Sequence, residues 1–175
     1  MDRTGAPETA RFSFGADAAP LTSLRRAGPG DAADLARLRA ASLIELEHLQ
    51  ASGRAAFEPR AMSDFARLFA EGRLIAWLAV ARGTVIGSAC ANYFERLPYR
   101  DGTLHAELSG VYVDPAYRRA GCASRLVAAV VADLRRSGAR KTFLRPAATA
   151  RSLYARLGFV DDATGVMSLA TAAHG

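Results

Sequence analysis

The strongest constraint on the fold is a change of hydrophobic period in the C-terminal half of the chain. Residues 104–113 (LHAELSGVYV) have the composition of a strand. Further on, apolar residues recur at helical spacing, namely Ala123, Leu126, Val127, Val130, Val131 and Leu134. The segment between them holds Pro115, a pair of arginines and a single glycine. We therefore predict a strand that passes through a short turn into a long amphipathic helix.

This junction has the chemistry of an anion site. Successive N–H groups in a tight turn attract negative charge, as do the unpaired N–H groups and the positive dipole end of the following helix. Gly121 and Ala123 are small and would leave the backbone open to a phosphate. The turn lacks the Lys-Ser/Thr ending of a nucleotide P-loop, and the chain has no G-x-G-x-x-G pattern. A glycine that merely caps the helix is the alternative interpretation.

Hydrophobic spacing and turn residues predict the remaining elements. They are a strand at 21–26, helices beginning at Asp31 and at Pro59, a hairpin of 74–80 and 85–94, a strand at 141–144, a helix from Pro146 to Gly158, and strands at 159–160 and 166–169. The first helix is expected to end near Gly53, and the second to end near Glu71 with Met62 on its apolar face. This order predicts an α/β (α+β) fold in which helices flank a mixed sheet. Residues 21–175 are expected to form one domain after a flexible extension at 1–20.

Charge is unevenly distributed along the chain. Residues 114–160 hold ten cations and two anions, an excess of +8, whereas the whole chain carries +6, so the remainder is −2. This excess indicates an anionic ligand near the C-terminal half, such as nucleic acid or a phosphorylated cofactor. The alternative is a general bias of the chain toward arginine, with the arginines on solvated surfaces and no ligand. Lys141 is the only lysine, which fits such a bias.

Other features of the sequence argue against several classes of protein. No apolar run approaches the roughly 18 residues that a membrane helix needs. The N-terminal residues lack the apolar core of a secretory signal. Cys90 and Cys122 have no metal-ligand spacing and are expected to be reduced thiols. We therefore expect a cytoplasmic protein without a metal and without a membrane partner, and the sequence leaves a homodimer open.

Two blocks resemble the signatures of the GNAT superfamily of N-acetyltransferases. The first is Val111–Pro115 (VYVDP) followed by Arg118–Ala123 (RRAGCA), and the second is Leu153–Phe159 (LYARLGF). The resemblance covers roughly residues 21–169 and is strongest from Glu107 to Phe159. It implies a GNAT-type fold with a central splayed sheet, acetyl-CoA as co-substrate, and an amine as acceptor.

The resemblance also implies a set of contacts with acetyl-CoA. The backbone of Val111, Tyr112 and Val113 would pair with the pantetheine arm as an added strand does. The pyrophosphate would be held by the N–H groups of Arg118, Arg119, Ala120, Gly121, Cys122, Ala123 and Ser124. Many relatives carry an asparagine where this chain has Ala147, so that contact is lost or is replaced by Thr149 or by backbone.

Tyr154 matches the family tyrosine that acts as general acid toward the departing thiolate, although a packed core tyrosine is the alternative interpretation. Some members use a glutamate on the strand at 104–113 as base, directly or through water, which corresponds to Glu107, whereas others have no side-chain base at all. Strand alternation puts Glu107 on the same face as Val111 and Val113, provided that no bulge intervenes. His105 has the same parity and a better suited pKa, but a lone histidine at the start of a strand is more often exposed.

The sequence thus favours an acetyl-CoA-dependent N-acetyltransferase that acts on a primary amine of a small molecule, peptide or protein. The alternative is a non-catalytic GNAT-fold module that senses acyl-CoA or binds nucleic acid. Nucleic acid is disfavoured, because no recognised binding motif accompanies the basic segment. The acceptor should be selected by the helical arm and by the loop at 95–102. The arm carries the acids Glu45, Glu47, Glu58, Asp64 and Glu71, which would suit a cationic amine.

Overall fold

The computed structural model describes residues 22–98, 103–161 and 164–171. Its helices are α1 (Ala32–Glu45), α2 (Arg54–Ala70), α3 (Cys122–Arg136) and α4 (Arg151–Arg156). Its strands are β1 (Ser23–Arg26), β2 (Leu74–Ala81), β3 (Thr84–Glu95), β4 (Leu104–Val113), β5 (Lys141–Leu144), β6 (Val160–Asp161) and β7 (Met167–Ala170). The predicted extension at 1–20 and part of the loop at 95–102 lie outside the described residues.

In the described ranges the strands form one sheet in the order β1-β2-β3-β4-β5-β7-β6. β4 and β5 run parallel, and the other neighbouring strands run antiparallel. The predicted hairpin and the strands at 104–113 and 141–144 are confirmed. The predicted α/β (α+β) fold, with a mixed sheet flanked by helices, is therefore confirmed.

Two apolar clusters hold the helices against opposite faces of the sheet. α3 contributes Leu126, Val127, Val130, Val131 and Leu134 to the larger cluster, which also includes residues of β2, β3 and β4. α1 contributes Leu35 and Leu38 to the smaller cluster, and α2 packs against it through Phe65 and Leu68. No helix in the described part of the chain is long and apolar enough to cross a membrane.

The helical arm differs from the prediction at three points. α1 ends at Glu45 and not near Gly53, because Glu47 takes a left-handed backbone conformation (φ 58°). α2 begins at Arg54, so Pro59 lies inside the helix rather than at its start. Met62 is 42% exposed and does not belong to the apolar face.

β4 contains a bulge that reverses which residues face each side of the sheet. Ser88 lies opposite Tyr112, whereas Cys90 lies opposite Ser109, so β4 holds one extra residue there. Gly110, at that point, has a positive φ of 59°. The regular alternation of side chains is interrupted at Gly110, so each residue after it faces the side opposite to the one that regular alternation would give.

The reversal overturns one prediction about Glu107. Leu108 packs in the α3 cluster, and after the bulge Val111 and Val113 also pack against that cluster. Glu107 alternates with Leu108 and so faces α1, on the side of Tyr112. The prediction that Glu107 shares a face with Val111 and Val113 is wrong, because the bulge intervenes.

The parallel strands β4 and β5 separate soon after they meet. Their pairs are Ala106 with Thr142 and Glu107 with Phe143. β5 ends at Leu144, whereas β4 continues to Val113. Beyond Glu107, no strand of the described chain pairs with this edge of β4. The sheet is therefore splayed, as the resemblance implied.

Candidate active site

A cleft of about 440 Å³ opens where β4 and β5 separate. Its lining comes from the C-terminal half of β4, the end of α1, the end of β5 and α4. A second cleft of about 630 Å³ lies between the signature turn at 118–121, the start of α3, and α4. Val113, Arg118, Ala123 and Leu153 line both clefts, so the two form one continuous channel along the sheet edge.

The signature turn brings backbone N–H groups to the second cleft. Arg119 and Gly121 both have left-handed backbone, with φ of 70° and 72°. Gly121 is the residue immediately before α3, whose first N–H groups have no partner within the helix. A Cβ at Gly121 would meet no protein atom within 4 Å, so the space beside the glycine is open. The turn and helix end together form a concave surface suited to an anion.

The predicted phosphate residues do not all contribute in the same way. Arg119, Gly121, Cys122 and Ser124 line the second cleft, whereas Ala120 is exposed and is absent from the described lining of both clefts. The Cys122 side chain is buried, and burial raises the pKa of its thiol. Cys90 is also a buried free thiol.

The Arg118 side chain is bound by other parts of the protein. Its Nε donates to the carbonyl oxygen of Val113 at 2.7 Å. Its Nη1 and Nη2 donate to the two carboxylate oxygens of Glu45 at 2.9 and 2.5 Å. The guanidinium also lies over the Tyr112 ring, 5.4 Å from the centroid. These bonds raise the pKa of Arg118 and lower that of Glu45, so the pair stays ionised.

Tyr154 lies on α4 at the inner wall of the first cleft. It is only 7% exposed, and its ring meets Phe159 edge-on at 5.8 Å between centroids. Burial raises the pKa of Tyr154 to about 12. The phenol therefore keeps its proton at any physiological pH and can donate a hydrogen bond into the cleft.

Glu107 and His105 occupy different environments, although they share a face of β4. The Glu107 side chain is exposed and lines the first cleft. His105 is 6% exposed and packs between Phe94 and Phe143, with ring centroids 5.9 and 5.7 Å away. The expectation that His105 is exposed is wrong, and its imidazole is not part of the described cleft lining.

Other predicted features of the cleft are also placed by the structure. Ala147 and Thr149 both line the first cleft, and Thr149 lines the second cleft as well. The hydroxyl of Thr149 is therefore available where the asparagine is missing. No group of three or more potential metal ligands occurs among the described residues.

The helical arm was expected to select the acceptor, but the sequence did not identify which of its residues other than Glu45 line the cleft. Arg39 and Ser42 of α1, and His48 just after the helix, line the first cleft together with Ser109. Glu107 and Ser109 face α1 because they alternate with Leu108 of the α3 cluster, and the bulge at Gly110 keeps Val111 and Val113 from sharing that side. Gly110, a glycine inside a predicted strand, is the local signal of such a bulge.

Comparison with known proteins agrees with this geometry. The model of the Acetyltransferase (GNAT) family matches residues 41–159. No curated protein matches the chain.

Many solved structures share the fold. A GCN5-related N-acetyltransferase from Ralstonia eutropha JMP134 has a TM-score of 0.71 and 21% identity, over 81% of this chain and 94% of that chain. A predicted acetyltransferase from Clostridium acetobutylicum, solved with acetyl-CoA, has a TM-score of 0.72 and 19% identity, over 82% and 92% of the two chains. A GNAT family acetyltransferase from Brucella melitensis, in complex with acetyl-CoA, has a TM-score of 0.63 and 22% identity, over 86% and 88%.

These structural likenesses show the fold. The range that the family model matches includes the signature turn and the block Leu153–Phe159 that contains Tyr154. The chain is therefore a member of the GNAT family of acetyltransferases.

Proposed function

We propose that this acetyltransferase binds acetyl-CoA along the open edge of β4 and transfers the acetyl group directly to a primary amine. The observation that carries the proposal is the continuous channel from the left-handed turn at Arg119 and Gly121 to the Tyr154 side chain. The channel is lined with backbone donors at one end and with titratable side chains at the other. That arrangement suits a ligand with a phosphate end and a reactive thioester end.

The edge of β4 supplies the contacts for the pantetheine arm. Residues 111–113 have no strand partner on the β5 side in the described chain, so their outward backbone groups can pair with an extended ligand, apart from the Val113 carbonyl, which already accepts a hydrogen bond from Arg118. Val111 and Val113 pack against the α3 cluster, which fixes the backbone of this edge. The amide groups of the arm would then replace the missing strand.

The start of α3 supplies the contacts for the pyrophosphate. Gly121 leaves open space beside the backbone, and the N–H groups of Cys122, Ala123 and Ser124 carry the positive end of the helix dipole. The Arg118 guanidinium is already bound to Glu45 and Val113, so we assign it to holding the turn rather than to binding phosphate. Arg119 is exposed and can add a positive charge beside the phosphates.

The reaction needs a neutral amine and a stabilised leaving sulfur. Glu107 accepts a proton from the amine, directly or through water, as the nitrogen attacks the thioester carbon. The C–S bond breaks, and Tyr154 donates its hydrogen bond to the departing thiolate. A pKa of about 12 makes Tyr154 a weak acid, so hydrogen bonding to sulfur precedes any complete proton transfer.

Ion pairs within the chain weaken the case for a nucleic-acid module. Arg118 pairs with Glu45, Arg136 with Asp133, and Arg151 with Asp161. These arginines belong to the basic segment that suggested nucleic acid, and their charge is compensated inside the described structure. Residues 21–175 are proposed to act as one catalytic domain.

Calorimetric titration with acetyl-CoA, followed by a thiol-release assay over a panel of amines, tests the proposal. We expect micromolar acetyl-CoA binding and thiol release that requires an amine. Absence of acetyl-CoA binding at micromolar protein would refute the proposal. Binding without thiol release for any amine would favour an acyl-CoA sensor instead.

A further inference from the structure

Arg39 is a half-buried cation without a partner among the described residues. It projects from the middle of α1 and lines the first cleft, a cavity of about 120 Å³ beside Cys90, and a groove of about 320 Å³ between α1 and α2. No carboxylate or carbonyl oxygen of the described chain accepts a hydrogen bond from its guanidinium. Arg37 on the same helix, in contrast, donates to Asp34 at 3.0 Å and to the Val85 carbonyl at 2.7 Å.

The Arg39 charge acts on the interior of the protein. Burial raises the pKa of the Cys90 thiol, and the field of the Arg39 guanidinium partly opposes that rise. Cys90 is a buried residue of β3, and Arg39 and Cys90 line the same cavity, so the positive charge lies close to the sheet. A partly desolvated guanidinium is costly unless an anion compensates it.

Glu107 provides an opposite charge in the same cleft. Glu107 alternates with Leu108 of the α3 cluster and so faces α1, and its carboxylate has no ion-pair partner in the described ranges. Glu45 also lines the cleft, but Arg118 neutralises it. Arg145, a further cation of the lining, is exposed on the β5 side and can be hydrated there. The α1 side of the cleft therefore presents one cation and one anion that no described side chain compensates.

We propose that Arg39 binds the carboxylate of a small acceptor whose amine lies beside Glu107, which makes the acceptor an amino acid or a compound of that class. This inference rests on the N-acetyltransferase function proposed above. A guanidinium matches a carboxylate with two parallel hydrogen bonds, a geometry that fixes orientation as well as charge. Arg39 and Glu107 line the same cleft, so a small molecule can meet both side chains at once.

The test compares acceptors that differ only in the carboxylate. Several amino acids, their amides and their decarboxylated amines, together with phosphoethanolamine, are assayed for thiol release at saturating acetyl-CoA. The enzymes are the wild type, Arg39→Gln, Arg39→Lys and the control Arg135→Gln, which removes an exposed arginine of α3. The melting temperature of each protein is measured with and without each acceptor.

We expect the wild type and Arg135→Gln to prefer an amino acid over its amide by about 10- to 100-fold in kcat/KM. Arg39→Gln should abolish this preference, so that the amino acid and its amide react at similar kcat/KM. Arg39→Lys should retain part of the preference. Amino acids should raise the melting temperature of the wild type but not that of Arg39→Gln.

The outcomes separate this inference from the proposed reaction. Thiol release with no preference for a carboxylate, or with a preference for phosphoethanolamine, would overturn the Arg39 assignment and leave the transferase function intact. Arg39-dependent stabilisation by amino acids without thiol release would keep the carboxylate site and reject transfer to those amines. Absence of both the stabilisation and the preference would also overturn the assignment.

Discussion

Arg118 and Glu45 join the signature turn to the end of α1 by two parallel hydrogen bonds, at 2.9 and 2.5 Å. The same guanidinium holds the carbonyl of Val113, the last residue of β4. One side chain thus links three segments that surround the channel: the end of β4, the turn before α3, and the wall that α1 supplies. The pair positions these segments relative to one another, because each of its contacts lies on a different element.

Glu45→Gln should destabilise the protein only slightly at neutral pH. The Glu45 and Arg118 side chains are 48% and 36% exposed, so solvent screens the pair and the expected loss is below about 1 kcal/mol. The hydrogen bond from Arg118 lowers the pKa of Glu45 below its ordinary value of 4.5. A carboxyl with a lowered pKa in the folded state stabilises the fold above its unfolded pKa, and the gain is lost as pH falls through the folded pKa.

Urea unfolding of the wild type and Glu45→Gln between pH 7 and pH 3 checks this expectation. The difference in unfolding free energy should be constant down to about pH 5 and then shrink at lower pH. Glu47→Gln is the control, since Glu47 is exposed on the same segment and has no ion-pair partner within the described ranges. A difference that grew toward low pH would contradict the assigned pair.

Gly121→Ala should weaken acetyl-CoA binding beyond its effect on stability. Alanine at a φ of 72° costs roughly 1–2 kcal/mol of backbone strain. The added methyl enters open space that we assign to the pyrophosphate. Acetyl-CoA affinity measured by calorimetry should fall by at least about tenfold, because the methyl group keeps the pyrophosphate from approaching the backbone N–H groups closely.

Gly138→Ala is a matched control for this substitution. Gly138 follows α3 at its other end, has a φ of 80°, and a Cβ there also meets no atom within 4 Å. The two variants should lose similar stability, and only Gly121→Ala should lose affinity. Equal affinity in both variants would remove Gly121 from the proposed phosphate site.

Much of the fold was predictable because hydrophobic period reports which face of an element is buried. The strands at 104–113 and 141–144 and the helix after Gly121 follow from that signal directly. The boundary between α1 and α2 did not follow, because apolar Leu46 and Leu49 continue the helical pattern past the residue where the backbone turns. Hydrophobic spacing contains no information about the positive φ of Glu47 that ends α1.

The candidate site was predictable where it consists of backbone and local motif, as at Gly121 and Tyr154. It was not predictable where it depends on the bulge in β4. The extra residue near Gly110 changes the sides of all later residues, so Val111 and Val113 face α3, whereas Glu107 and Ser109 line the first cleft with Arg39 of α1. Contacts between elements so distant in sequence depend on strand register, and one extra residue changes them all.

Cys90 and Cys122 should not react with aromatic disulfide reagents in the native protein at pH 8. Both thiols are buried, and burial raises the pKa of Cys90 to about 12 and also raises that of Cys122. The thiolate is the reactive form, so both groups stay protonated and inaccessible. Thiol titration of the native protein should detect no rapidly reacting cysteine, and titration after denaturation should detect both cysteines. A rapid reaction of the native enzyme would contradict the burial of these residues.

Glu107→Gln should lower kcat/KM for the amine by about 100-fold at pH 7. This is the lower end of the rate loss that follows removal of a positioned general base. The deficit should decrease as pH rises, because a larger fraction of the amine is then neutral without help. Thiol release measured from pH 6.5 to 9.5 checks both the size and the slope. Arg135→Gln, which removes an exposed charge of α3 outside both clefts, should behave as the wild type. A deficit independent of pH would indicate that Glu107 only orients the acceptor.

Tyr154→Phe should lower kcat by about 100-fold or more while acetyl-CoA affinity and the melting temperature change little, because it removes one hydrogen-bond donor and keeps the ring. Tyr93→Phe, a change in β3, controls for loss of a partly buried phenol and should retain activity. Since the pKa of Tyr154 is about 12, its phenol stays protonated to pH 10. The donor is therefore kept, and ionisation of Tyr154 should not lower the kcat of the wild type between pH 7 and 10. Stopped-assay measurements at saturating acetyl-CoA across that range check the profile. A decline in kcat centred near pH 8 to 9 that disappears in Tyr154→Phe would mean that the phenol ionises far below its buried pKa, and the donor role would have to be abandoned.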